Sequence, residues 1–142
     1  MLECLIVGDS IAVGVGQIRT ECMSISKSGI NSRDWNRKHL NQLKPTKTLI
    51  ISLGANDYKG IETEANIREL RAQAQADRVF WLLPSQRLKP DQVRAVKFVA
   101  QEYGDIVIPR PEKDISADGV HPTYKGYREL GNLTRYIETG KK

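Results

Sequence analysis

The sequence predicts an α/β fold: a three-layer α/β/α sandwich on a five-stranded parallel sheet in the order 2-1-3-4-5. Three observations carry this reading. Short β-type runs alternate with helical patterns along the 142 residues, the arrangement that gives a parallel sheet with crossover helices. The runs Leu5-Ile6-Val7, Leu49-Ile50-Ile51 and Val79-Phe80-Trp81-Leu82-Leu83 are apolar without alternation, as strands covered on both faces are. A further run alternates Met23 and Ile25 with Ser24 and Ser26. That pattern suits an edge strand, and the doubly wound order puts the second strand at an edge.

Taken in order, the first strand covers Leu2–Val7 and stops at Gly8. The second covers roughly Cys22–Lys27, and Asn31 or Ser32 then caps a helix with Trp35, His39 and Leu43 on one face. The third strand is Thr48–Leu53, followed by a helix near Thr63–Ala76 that buries Ile67, Leu70 and Ala74. After the fourth strand, Val79–Leu83, Pro90 opens a helix striped with Val93, Val96, Ala100 and Tyr103, and Gly104 stops it. Ile106–Ile108 is the fifth strand, and a last helix starts near Pro122 with Tyr124, Tyr127, Leu130 and Ile137 on its stripe. No repeat or linker divides the chain, so residues 1–142 read as one domain of flavodoxin-like topology with right-handed crossovers.

Composition narrows the function classes. No apolar run approaches the roughly 20 residues that span a bilayer, and the start Met-Leu-Glu-Cys-Leu has no basic segment of a signal peptide. The expected setting is therefore cytoplasmic, with release by lysis or a carrier. The formal charge of +5 suits an acidic partner such as a cell-wall polymer. The 22 Lys and Arg residues form no basic block with interleaved aromatics, so nucleic acid is not an expected partner. Cys4 and Cys22 have no metal-ligand spacing, so no metal is expected, and both read as reduced, buried thiols.

In such a sheet ligands bind beyond the carboxyl ends of the strands. Gly8-Asp9-Ser10 follows strand one, Gly29 follows strand two, and Gly54-Ala55-Asn56-Asp57 follows strand three. Asp118-Gly119-Val120-His121 comes after strand five. A serine hydroxyl needs a neighbouring base to become a nucleophile. His121 supplies an imidazole suited to taking and returning that proton, and Asp118 can hold the other ring nitrogen. The backbone N–H groups of Ser10 and Gly29 and the carboxamide of Asn56 are the expected oxyanion donors. Asp9, Tyr58, Ser85 and Arg87 are candidate substrate-lining residues. Asp9 also reads as an anchor for the serine loop, while His39 reads as a packed or half-exposed side chain.

Gly8-Asp9-Ser10, Gly29, Gly54-x-Asn56-Asp57 and Asp118-x-x-His121 resemble the four signature blocks of the SGNH/GDSL hydrolase superfamily, in the same order and across nearly the whole chain. Ile11 stands where the name-giving form has leucine. The resemblance implies an SGNH-hydrolase type of sandwich and an esterase, acetyl-esterase, thioesterase or lipase working through an acyl-enzyme, without a cofactor. Short loops after the strands suit a small acyl group, such as acetyl, on a polar or carbohydrate substrate, small or polymeric. Two other readings remain open at this point. One is a phage or bacterial enzyme of endolysin type acting on peptidoglycan. The other is a non-catalytic flavodoxin-like binding or structural module.

Overall fold

Alternate residues of a strand point to opposite faces of the sheet, and in the three central strands of the computed structural model both sets are buried over most of their length. The structure describes residues 1–110, 115, 116 and 121–139. Its strands are β1 (Leu2–Gly8), β2 (Met23–Ser26), β3 (Thr46–Ser52), β4 (Ala76–Leu82) and β5 (Ile106–Ile108). They form one parallel sheet in the order β2-β1-β3-β4-β5, as the sequence predicts. The helices are α1 (Ser10–Ile18), α2 (Ser32–His39), α3 (Thr63–Gln73), α4 (Pro90–Tyr103) and α5 (Tyr124–Thr139).

Leu5, Val7, Leu49, Ile51, Val79 and Trp81 face α2, α3 and α4 in one core cluster. Ile6, Ile50, Phe80, Leu82 and Ile108 face α1 and α5 in another. Each such side chain removed from water stabilises the fold by about 1.5–3 kcal/mol. The chain moves from β1 to β2 over one face and from β2 to β5 over the opposite face. All four crossovers therefore share one hand, as the handedness rule requires.

Helix punctuation follows the side chains. Asn31 caps α2, its side chain accepting from the Asp34 N–H, and Gly104 ends α4 at a φ of 70°. The α2 pattern breaks after His39, where a 3-10 turn, Leu40–Gln42, takes over. Two apolar stripes differ from expectation. On α4, Val99 is buried, whereas Tyr103 is 38% exposed beneath the Arg71 guanidinium. On α5, Tyr124 and Ile137 are exposed, and the inner face is Leu130, Gly131 and Thr134. Here α5 lies close against α1: a Cβ on Gly14 would stand 2.2 Å from the Tyr127 ring. Small residues allow that approach, so large apolar ones are not needed along the seam.

Cys4 and Cys22 are not free thiols; they form a disulfide with Cα atoms 4.8 Å apart. The reason is register. Leu5 pairs with Met23 across β1 and β2, so one step back Cys4 faces Cys22. Such bonds persist in oxidising surroundings and are opened by thiol reductants, so the reduced thiols expected from the sequence are not what the structure holds. The bridge closes a sequence separation of 18. Opening it with dithiothreitol is expected to lower stability by about 3 kcal/mol and the Tm by roughly 10 °C. A melting curve unchanged by reductant would show that the bridge does not constrain the chain.

Candidate active site

The carboxyl ends of the strands deliver the chemistry-bearing residues one by one. β1 ends at Gly8, whose φ of 137° is open to glycine, and a Cβ there would stand 1.8 Å from the Ser52 carbonyl oxygen. The turn this permits places Asp9 as the N-cap of α1 and Ser10 as its first residue. The Asp9 carboxylate accepts from the Ile11 N–H at 3.0 Å and from the Ser52 hydroxyl at 2.9 Å. Its own N–H donates to the Ser52 carbonyl at 3.0 Å. Asp9 is wholly buried, so it has no surface to offer a substrate. This corrects its place among the lining residues: it anchors the serine loop.

Burial pushes the Asp9 carboxyl up to about 6, against the hydrogen bonds from Ser52 and Ile11 and the Arg110 charge, which pull it down. The folded protein thus holds this proton more tightly than the unfolded chain. Protonation favours the fold, and the ionised form costs stability as pH rises from about 4 through 6. Asp9→Asn keeps an acceptor for Ile11 and removes the ionisation. It is expected to exceed the wild-type protein in stability at pH 7.5 by up to about 3 kcal/mol, the gap narrowing to about 1 kcal/mol at pH 4.5. Urea unfolding at both pH values is the check, and a gap independent of pH would refute the buried titration.

Ser10 and His121 are 111 residues apart, yet the Ser10 Oγ lies 2.8 Å from the His121 Nε2. The base reaches this position through an isolated bridge between Ile115 and Pro122 and a Ser116 N–H that donates to the His121 carbonyl at 2.8 Å. Both side chains are partly buried, so the pair is shielded without being sealed. Asp118 lies outside the described residues.

Gly29 sits in the β2–α2 loop at a φ of 82°, exposed, with nothing within 4 Å of where a Cβ would stand. Its left-handed backbone, rather than crowding, calls for glycine. Asn56 is partly buried and donates one Nδ2 hydrogen to the Ile30 carbonyl at 3.0 Å. That bond orients the carboxamide and leaves the second hydrogen of the same nitrogen for another acceptor.

Asp57 has a structural place. It is fully buried and accepts from the Ser32 N–H at 2.8 Å, the Ser32 hydroxyl at 2.6 Å and the Thr63 hydroxyl at 2.6 Å. It therefore ties the starts of α2 and α3 to the loop that carries Asn56. Tyr58 is exposed, and its hydroxyl accepts from Arg33 at 3.2 Å. His39 is half-buried against the Trp35 ring, with Nδ1 3.3 Å from the Gln42 Oε1.

A cavity of about 660 Å³ opens beside β4 and β5, and Ser85 and Arg87 line it. Ser10 and His121 do not line it. The sequence reading missed Lys97 and Arg110, which also line it. Two signals pointed to them. Lys97 lies one helical turn beyond the buried Val93, and Arg110 stands two residues past the end of β5.

The sequence matches no family model and no curated protein. Solved structures share the fold. A protein from Agrobacterium tumefaciens described as an arylesterase superposes with a TM-score of 0.66 at 17% identity, over 96% of this chain and 100% of the other. A protein from Desulfitobacterium hafniense described as lipolytic and of the G-D-S-L family gives 0.64 at 16% identity, over 96% and 99%. A carbohydrate acetylesterase from Sinorhizobium meliloti gives 0.65 at 13% identity, over 97% and 99%. The five-stranded sheet and its helices are thus those of proteins described as esterases and lipases.

Proposed function

We propose that this protein is a serine ester hydrolase of the SGNH/GDSL type, with Ser10 as nucleophile and His121 as base. The observation that carries this reading is the Ser10 Oγ to His121 Nε2 distance of 2.8 Å, within the reach that general-base catalysis requires. The fold shared with esterases and lipases and the four sequence blocks at the strand ends support it.

As the Ser10 oxygen attacks the ester carbonyl carbon, its proton passes to His121 Nε2 and the carbonyl electron pair moves onto oxygen. The Ser10 N–H at the start of α1, the Gly29 N–H and the second Asn56 amide hydrogen are the donors suited to that oxyanion. Each is worth about 2.7–4 kcal/mol in such a role. Collapse of the intermediate breaks the bond to the leaving oxygen, which takes the proton from His121, and Ser10 is left acylated. Water then repeats the sequence and frees the acid. Asp118, three residues before the base in sequence, is the residue suited to hold the imidazole as it gains charge. The exposed Gly29 loop suits a small acyl group, such as acetyl, on a polar or carbohydrate molecule. The resemblance in fold to a carbohydrate acetylesterase points the same way.

A fluorophosphonate probe tests the assignment. It is expected to add one phosphonyl group on the peptide containing Ser10 and none to the Ser10→Ala protein. Labelling that persists in the variant would take the nucleophile's role from Ser10.

A further inference from the structure

We infer that the cavity beside β4 and β5 is a subsite for an oxyanionic group, a carboxylate, sulfate or phosphate, on the molecule whose ester is cleaved. The inference rests on Ser10 being the nucleophile and adds a substrate class to that role. Three separate segments send a cation to this cavity: Arg87 from the loop after β4, Lys97 from α4 and Arg110 from the loop after β5. Among the described lining residues none is acidic. Leu83, Val93 and Ile115 form its apolar wall.

A concave wall of low dielectric lined with one sign of charge concentrates the field within it. Charge-assisted hydrogen bonds from guanidinium and ammonium groups are the strong ones for carboxylate, sulfate and phosphate. Arg87 and Lys97 are exposed and form no ion pair among the described residues, so their donors face solvent rather than a partner. The volume, about 660 Å³, is that of a small-molecule site.

Position links this cavity to the reaction. Its wall residue Ile115 bridges Pro122, and the next residue, Ser116, donates to the His121 carbonyl. On the other side, the Pro84 Cγ lies 3.2 Å from where a Cβ on Gly54 would stand, in the loop that carries Asn56. The cavity therefore shares wall residues with the segment that holds His121 and with the neighbour of the loop that carries Asn56.

The test compares charged and neutral esters at low ionic strength. For a charge on the leaving group the pair is 4-acetoxybenzoate and its methyl ester; for a charge on the acyl group it is mono(4-nitrophenyl) adipate and 4-nitrophenyl hexanoate. At least one anionic ester is expected to show a KM roughly tenfold below its neutral partner. The preference should fade with added salt. The Arg87→Gln/Lys97→Gln double variant should lose it. Equal KM values in both pairs, or a preference that survives the double variant, would overturn the subsite. If no ester is turned over, the nucleophilic role of Ser10 fails instead, and calorimetric titration with 4-hydroxybenzoate decides the subsite alone. Binding that weakens roughly tenfold in the double variant supports it; no binding, or equal binding, rejects it.

Discussion

Ser10→Ala is expected to lower kcat on 4-nitrophenyl acetate by about 10⁴–10⁶-fold, His121→Ala to do nearly the same, and the double variant to be no slower than either. Nucleophile and base act as one unit: without the imidazole the hydroxyl keeps its proton, and without the hydroxyl the imidazole has nothing to activate. The urea midpoint should hardly move in Ser10→Ala. The cap of α1 belongs to Asp9, and Ser10 contributes a single partly buried hydrogen bond. Steady-state kinetics beside unfolding curves separates the two effects. Losses that multiply in the double variant would mean that Ser10 and His121 act independently, which a proton passed directly between them does not allow.

Asp57→Ala is the substitution expected to cost the most stability, about 3–5 kcal/mol. The carboxylate is fully buried and receives three short hydrogen bonds from Ser32 and Thr63. Removing it strands a backbone N–H and two hydroxyls in the interior, each left without its acceptor. Activity should fall as well, because the loop loses the tie that fixes its neighbour Asn56. Asp57→Asn keeps one acceptor and should lie between the two proteins. Urea unfolding checks the first effect, and a loss below about 1 kcal/mol would show that water replaces the carboxylate there.

Most of the fold was legible because the central strands state their own burial. Unbroken runs such as Leu49-Ile50-Ile51 allow little but a doubly covered strand, and the serine-alternating run marked the edge. The meeting of Ser10 with His121 was legible too, since the strand order sends both to the same rim. Register was not. The order 2-1 was predicted, but nothing in the chain shows that residue 5 pairs with residue 23, so the bond between Cys4 and Cys22 was missed. The burial of Asp9 was equally hidden, because an Asp in a turn has the same signature whether it faces water or the interior. Tyr103 and Ile137 misled for a related reason. Helical spacing fixes a face only to within a residue or so, and the ends of a helix overhang the sheet.

The seating of α5 on α1 over one face of the sheet has a consequence for the reaction. Ser10 opens the first of these helices, and His121 stands three residues ahead of the second. Hydroxyl and imidazole therefore ride on two rods that touch along their length, and the mechanical path between them is short. Changes in the loops after β3 and β4 can reshape what enters the cleft while this gap stays put. Widening the seam, by giving Gly14 a side chain that pushes Tyr127 outward, would instead slacken the proton's route without touching either group that handles it.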